Sequence, residues 1–323
     1  MSNTRERTEQ SFFYKYSSQI GLLIMMSLVV LAFIITSPGV FLKPGIYFSF
    51  LASVPTIGIM ALGLTFILGM GEIDLSFPST MALSAYLFAT IYRGTGNFFL
   101  AFLVCIGAGV IVGMTNGFIV AKIGVPSIVV TLGMQYLVRG LSNLISDGVA
   151  VVVRLRGTLS HQILVGRFFD IPHQALWFLG ITIFMFFLLY RHKFGEHVLF
   201  VGDNQEAARM MGVNVVWIKI GAFALMGGLA ALAGVFDLYR MGTWWPTMGD
   251  GYLMMIMAAV FVGGTSMFGG EASIFGTFAG SFMIGAMEAG IVAAGLKGFW
   301  TRFITGLLII CAVIVHTLVR KKK

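Results

Sequence analysis

Charged residues are scarce in this chain, at 11% of 323 residues, and cysteine occurs only twice. A soluble domain carries roughly 25% charged residues, so this composition excludes an ordinary globular protein. Cys105 and Cys311 both lie in apolar runs, which argues against a disulfide framework. The chain is 58% hydrophobic, and its long uncharged runs are typical of a membrane protein with many spans.

Motifs for several kinds of chemistry are also absent. The sequence has no G-x-x-x-x-G-K-S/T, so it has no phosphate-binding loop of its own. It has no H-E-x-x-H and no Cys/His cluster at metal spacing, so we expect no metal site, no cofactor and no catalytic residue on this chain. The net charge of +8 includes the basic run at 320–323, which follows an apolar segment and indicates a cytoplasmic membrane end, not nucleic-acid binding.

Ten apolar segments are candidates for membrane spans. A helix needs roughly 20 apolar residues to cross the hydrocarbon core, and the third candidate is the shortest. The sequence therefore predicts an all-α membrane protein with about ten transmembrane helices in a single transmembrane domain over residues 1–323. The candidate spans are residues 20–37, 46–69, 79–92, 98–121, 127–145, 174–191, 215–238, 252–268, 273–294 and 300–319.

The distribution of basic residues predicts the orientation of these spans. The polar N-terminal stretch carries Arg5, Arg7 and Lys15, and no signal-peptide cleavage pattern follows the first span. We therefore expect a retained first span with a cytoplasmic N-terminus. An even number of spans then places the C-terminus and the loop 191–214 in the cytoplasm and the loop 146–172 outside.

Glycines recur four residues apart in two of the candidate spans. Gly109, Gly113 and Gly117 share one face of the fourth span, and Gly276 and Gly280 do the same in the ninth. Such faces let a neighbouring helix approach closely, so we assign these glycines to helix packing. A direct role in substrate binding is the alternative.

Two segments of the sequence indicate an internal repeat. GMTNGFIVAKIGVPSIVVTLG at 113–133 resembles GAMEAGIVAAGLKGFWTRFITG at 285–306, and each runs from a glycine-rich helix end across a short break into the next span. An offset of five spans reverses the orientation, which predicts an inverted repeat of two five-helix halves, as in many transporters. Chance similarity between Gly/Ala-rich helices is the alternative.

The segment GDNQEAARMMGVN at 202–214 reads as a short helix outside the membrane. Asn204 is placed to cap its start, Glu206 lies in its first turn, and Gly212 is placed to end it. Met210 and Met211 belong to a narrow apolar stripe. An amphipathic helix lying on the lipid headgroups is one explanation, and a docking helix is another.

Four blocks of the sequence together resemble a known family. They are GLTFILGMGEIDLSFPSTMALSAY at 63–86, KIGVPSIVVTLG at 122–133, GDNQEAARMMGVN, and GYLMMIMAAVFVGGTSMFGGEASIFGT at 251–277. Their order and spacing are similar to those of the membrane permease of bacterial ABC importers for ribose-type monosaccharides. The chain departs from the family pattern at Glu72, Pro78 and Glu271, so the resemblance does not assign a particular sugar.

The resemblance implies that the chain lies in the bacterial inner membrane and works with three kinds of partner. An extracytoplasmic binding protein delivers the sugar, and two permease subunits, identical or different, form the path through the bilayer. A separate cytoplasmic ABC ATPase binds ATP and Mg²⁺. The short helix at 204–212 is then the coupling helix that docks into the ATPase, and the residues assigned to it are Asn204, Glu206, Ala207, Arg209, Met210, Met211 and Gly212.

Polar residues in or near the spans are candidates for the sugar path. A neutral sugar needs hydrogen-bond partners, and hydrocarbon penalises unpaired polar groups, although helix–helix hydrogen bonds explain these residues equally well. Asp74 or Ser76 alternatively caps the third span. Tyr239, Trp244 and Trp245 are interpreted as an interfacial aromatic belt, and a contact for a binding protein is the alternative. The candidate path residues are Asp74, Ser76, Asn116, Gln135, Asn143 and Glu288, together with Arg139.

Two other functions remain open at this point. An importer permease for nucleosides or branched-chain amino acids shares the general helix pattern. A self-sufficient secondary carrier or channel belongs to a different class, and it normally needs ionisable residues inside its spans. Glu288 is the clearest acid inside a span of this sequence, which is weak support for a carrier.

Overall fold

The computed structural model describes residues 17–297 and 299–320, and the chain is an all-α membrane protein. Two short antiparallel strand pairs accompany the helices, β1 with β4 and β2 with β3. In chain order the elements are α1 Ser17–Thr36, α2 Pro38–Phe41, α3 Pro44–Gly69, α4 Phe77–Thr95, α5 Phe98–Phe118 with a π-helical turn Ile119–Ile123, α6 Ser127–Ser146, β1 Val151–Val152, α7 Leu159–Val165, β2 Arg167–Phe168, β3 Ile171–Pro172, α8 His173–Tyr190, α9 Lys193–Asp203, α10 Gln205–Met210, α11 Val215–Met241, β4 Thr243–Trp244, α12 Tyr252–Val262, α13 Ile274–Ala293 and α14 Phe299–Arg320.

Six of these helices are long and apolar enough to cross a bilayer, judged by length and composition in the described part of the chain. They are α3, α5 with its π-helical turn, α6, α8, α11 and α13. Shorter apolar stretches occupy Met26–Thr36, Tyr252–Val262 and Phe299–Ile310. A helix overlaps each of the ten segments named above, and α4 covers the shortest of them.

The eighth predicted span, 252–268, is wrong at its C-terminal end. Helix α12 ends at Val262, and residues 263–273 form turns. Gly264 takes a φ of 85°, in the left-handed region that ends helices readily at glycine. The apolar run continues through Met267 and Phe268 into these turns, so hydropathy alone does not mark the end of the helix.

The core forms around α3 and α11. In the most apolar stretch of each helix, the share of residues buried within the chain is 83% for α3, 22% for α5 and 17% for α6. Helix α5 packs along α11 through its glycine face. A Cβ atom on Gly109 or Gly113 would overlap the α11 backbone, and one on Gly117 would lie 2.6 Å from the Cα atom of Ile220. The two backbones are therefore in direct contact along this seam.

The second glycine pair lies against α12 and the turn that follows it. A Cβ atom on Gly276 would overlap the carbonyl of Gly263, and one on Gly280 would overlap the carbonyl of Ala259. In both segments of the predicted repeat a glycine with positive φ stands in the break, Gly124 at 87° and Gly295 at 72°. The inverted relation between the two halves stays a prediction.

The predicted aromatic belt is wrong for two of its three members. Trp244 and Tyr239 are buried, with 0% and 2% of their surface exposed. The Trp244 indole donates to the carbonyl of Ala82 at 2.8 Å, and the Tyr239 hydroxyl donates to Ser160 Oγ at 2.9 Å. The cause is tertiary, because β4 pairs with β1 and thereby turns the Trp244 side chain inward over α4.

Candidate functional site

Helix α10 has the predicted start and end. Asn204 Oδ1 accepts hydrogen bonds from the backbone N–H groups of Glu206 and Ala207, each at 3.0 Å. Gly212 takes a φ of 84° directly after the helix, at the position where a left-handed residue is favoured. The cap and the terminator are both confirmed, and together they define a helix of six residues.

One side of α10 is anchored and the other is free. Ala208 is fully buried and Val213 is 8% exposed, and both pack against the body of the chain. Met210 is 88% exposed and Met211 is 64% exposed, and Ala207 is exposed beside them. The apolar stripe of Ala207, Met210 and Met211 is therefore not covered by any described part of the chain, while Ala208 on the other side of the helix is packed.

A charged pair ties α10 to the break between α3 and α4. Lys219 of α11 is only 7% exposed, and its Nζ pairs with the carboxylate of Glu72 in that break. The same Nζ donates to Gln205 Oε1 at 3.1 Å. One ammonium group therefore links α10, α11 and the break.

The break itself, residues 70–76, is bonded to α6. The backbone N–H of Ile73 donates to Ser127 Oγ at 3.1 Å. The Thr131 hydroxyl donates to the Ser127 carbonyl at 2.8 Å and lies 3.3 Å from the Ile73 carbonyl, so one hydrogen is shared between the two acceptors. Ser127 and Thr131 stand one turn apart on α6 and are both buried. The break thus joins α10 on one side to α6 on the other.

Asp74, Ser76 and Asn116 form a buried cluster at the same break. Asp74 Oδ1 accepts from the backbone N–H and from the hydroxyl of Ser76, both at 2.7 Å, and Asn116 Nδ2 donates to Ser76 Oγ at 2.8 Å. Burial raises the pKa of the Asp74 carboxyl to about 6, while the hydrogen bonds from Ser76 lower it. Ser76 precedes α4 but makes no side-chain cap bond. In this conformation the cluster holds the break against α5.

The other predicted path residues lie elsewhere. Gln135 is partly exposed and Asn143 is exposed on α6. Arg139, on the same helix, is held by the carbonyls of Pro246 and Met248 at 2.9 and 2.8 Å and by Asp250 at 3.0 Å. Its contacts fasten the 246–250 loop to α6, which is a structural role.

Glu288 borders a cavity at the opposite end of the molecule from α10. Arg240 and Tyr252 line the same cavity. The structure therefore divides the six predicted path residues into three groups: the buried break cluster, the α6 pair Gln135 and Asn143, and Glu288 at the cavity. Among the described residues, no group of three or more His, Cys, Asp or Glu side chains is placed to hold a metal ion.

Sequence reasoning missed Lys219, Gln205, Arg240 and Tyr252. A signal for Lys219 was available, because a lysine four residues into an apolar span is expensive unless it is paired. Its partner was not predictable, since Glu72 is 147 residues away in the chain.

The Lys219→Met variant is expected to be less stable by about 3 kcal/mol or more, because it leaves the Glu72 carboxylate largely buried and unpaired. The measurement is the thermal unfolding midpoint of the detergent-solubilised chain. The double variant Lys219→Met/Glu72→Met removes both charges and should recover most of that loss. A double variant that is as unstable as the sum of the two single variants would show that the pair is not coupled.

The fold defines a multi-span membrane protein with a short, exposed, capped helix at one end. A family model described as branched-chain amino acid transport system / permease component matches residues 46–313. The chain belongs to this family of transport-system permease components.

Individual relatives match over nearly the whole chain. The ribose import permease protein RbsC of Escherichia coli K12 is 31% identical over 309 residues, which is 95% of this chain and 94% of the relative. The L-arabinose ABC transporter permease protein AraH of Azospirillum brasilense is 33% identical, over 90% and 86% of the two chains. The fructose import permease protein FrcC of Rhizobium meliloti is 30% identical, over 97% and 88%. No solved structure matches. The predicted family resemblance is confirmed.

Proposed function

We propose that this chain is the membrane-spanning permease subunit of an ATP-driven importer for a monosaccharide or similar small polyol, delivered by an extracytoplasmic binding protein. The observation that carries the proposal is the similarity, over 90% or more of the chain, to permeases named for ribose, L-arabinose and fructose. The family description names branched-chain amino acids, but these three relatives favour a sugar.

The partner that supplies energy is a cytoplasmic ABC ATPase, which binds ATP and Mg²⁺ on its own chain. Helix α10 is its docking element. Support comes from the exposed Met210 and Met211 side chains on a helix that is capped at Asn204 and anchored by Ala208. Methionine side chains adapt to a moving partner surface, and the anchored side transmits the movement through Gln205 to Lys219.

A second permease subunit, identical or different, covers α6. This helix exposes most of its apolar stretch, yet Gln135 and Asn143 make no side-chain hydrogen bond with the described part of the chain. Unpaired amides facing hydrocarbon are unfavourable by several kcal/mol each by order of magnitude. A subunit interface or a water-filled sugar path beside α6 removes that penalty. The break at 70–76 connects this helix to α10.

The chain crosses the bacterial inner membrane ten times, with both termini in the cytoplasm. Reporters fused after Lys323 and inserted near Lys193 are expected to report the cytoplasm, and one near Val165 is expected to report the outside. The reason is that α8 separates Val165 from Lys193 and is apolar enough to span. If Lys193 and Val165 report the same side, α8 is not a span.

Uptake of labelled D-ribose, L-arabinose and D-fructose into proteoliposomes tests the function. Vesicles holding this chain with its ATPase and binding protein are expected to accumulate one of these sugars when supplied with ATP. Vesicles holding this chain alone are expected to accumulate none, because it has no phosphate-binding loop. Accumulation by the chain alone would indicate a secondary carrier. ATP-dependent uptake of leucine, with no uptake of the sugars, would indicate an amino-acid importer.

A further inference from the structure

A cavity of about 480 Å³ lies between α3, α11 and α13, next to the first residue of α12. We call it the polar cavity after Ser53, Arg240, Tyr252 and Glu288, which form a polar group in an otherwise apolar lining that includes Ile57. It lies at the end of the molecule opposite α10, because its α3 residues precede the end of that helix at Gly69, which contacts Gly270 near α10. Pockets of about 300–1,000 Å³ are the usual size for small-molecule ligands.

The wall of the polar cavity is held in place by a buried carboxylate. Asp237 is fully buried, and its Oδ1 accepts from Nε and Nη2 of Arg240 at 3.2 and 2.7 Å. Its Oδ2 accepts from the Tyr252 hydroxyl at 3.3 Å. Asp237 does not line the cavity, so it acts on a ligand only by positioning these two side chains.

Glu288 is exposed in this wall, and its carboxylate is attracted electrostatically to the Arg240 guanidinium. Its carboxylate lines the polar cavity and makes no hydrogen bond or ion pair with any described residue. Arg240 uses Nε and Nη2 on Asp237, which leaves Nη1 available as a donor. The Tyr252 hydroxyl donates to Asp237 and keeps its oxygen free to accept. The cavity therefore offers a carboxylate acceptor, a phenolic acceptor and a guanidinium donor.

The charges and surfaces select among ligand classes. Asp237, Arg240 and Glu288 sum to one negative charge, which disfavours an anionic ligand. An alkyl chain has no hydrogen-bond donor to offer the Glu288 carboxylate and would displace water from it, which is unfavourable. A compact polyhydroxy molecule matches best, since its hydroxyls both donate and accept while its carbon face packs against Ile57 and the Tyr252 ring.

We propose that the polar cavity is a monosaccharide-binding subsite of the permease itself, in which Glu288 and Tyr252 accept hydrogen bonds from sugar hydroxyls and Arg240 donates one. This rests on the proposed import function and adds to it. The permease then receives the sugar from the binding protein at a defined site. Asp237 is a positioning residue, because it holds the Arg240 and Tyr252 side chains in the cavity wall.

Direct binding to the purified permease–ATPase complex, without the binding protein, tests the subsite. D-ribose, L-arabinose and D-fructose are titrated separately and followed by saturation-transfer NMR. At least one sugar is expected to bind the wild-type complex. Glu288→Gln is expected to weaken that binding at least about tenfold, because it replaces a charged acceptor by a neutral amide and turns one acceptor oxygen into a donor. Tyr252→Phe should weaken it less.

Asp147→Asn is the matched control, since it removes one exposed carboxylate that does not line the cavity. Its sugar binding should equal the wild type. The proposal is overturned if none of the three sugars binds the wild-type complex. It is also overturned if Glu288→Gln and Tyr252→Phe both bind sugar with wild-type affinity. A phospholipid that co-purifies with the wild type and is lost from Glu288→Gln, with sugar binding unchanged, would identify a lipid site instead. ATP-driven uptake by the wild-type importer, measured in parallel, reports the import function independently of these outcomes.

Discussion

The double variant Met210→Asp/Met211→Asp is expected to reach the membrane in normal amount and to lose ATP-driven transport. Both side chains are exposed on α10 and make the stripe proposed to enter the ATPase. Burying unpaired carboxylates in that interface costs at least several kcal/mol after relaxation, so docking should fail. Co-purification of the ATPase with the tagged permease, and uptake of labelled sugar, measure the two consequences.

A second variant on the same helix serves as the control. Glu206→Ala removes an exposed first-turn charge that contributes only about 0.3–1 kcal/mol to the helix start, so docking and uptake should change little. If α10 lies on the headgroups instead, the double Asp variant would keep its ATPase. Normal transport with ATPase bound at wild-type stoichiometry would show that residues 204–212 do not couple the two proteins.

The Gly113→Leu variant is expected to lose the folded permease. A Cβ atom at this position would already overlap the Phe223 carbonyl of α11, so the α5–α11 seam must open. Overpacking of a tight core costs about 1–3 kcal/mol and sometimes more, and backbone atoms have no alternative rotamer to adopt. The measurements are the yield of monodisperse protein in detergent and its thermal unfolding midpoint.

Gly107→Leu is the matched control, because it lies on the same helix and a Cβ atom there meets no other atom within 4 Å. Its unfolding midpoint is expected to stay at or above that of the wild type, since leucine has a higher helix propensity than glycine. Equal losses in the two variants would point to an effect on insertion of α5, with no special role for the α5–α11 seam.

The break cluster shows how far a polar sequence pattern can be interpreted. Asp74, Ser76 and Asn116 were three of the six predicted path candidates, and the structure joins these three by hydrogen bonds. All three are nevertheless buried and turned toward each other in this conformation. Composition showed that these side chains need polar partners. Only the contacts showed that they bond to one another and that the buried Asn116 Oδ1 is left without a partner.

Features that depend on neighbouring residues were predictable from the sequence. The membrane class follows from apolar runs, and the cap at Asn204 and the terminator at Gly212 follow from side-chain chemistry within a few positions. The end of α12 at Val262 was not predictable in this way, because the apolar run continues past it.

Features that join distant parts of the chain were decided by the tertiary structure. Lys219 meets Glu72 across 147 residues, and β1–β4 pairing buries Trp244 against the expectation of a lipid-facing belt. The polar cavity likewise combines α3, α11, α12 and α13 around Glu288. Helix periodicity in the sequence indicates which face of a single helix is polar. The partner of that face depends on how the helices pack, and packing is determined by the whole chain.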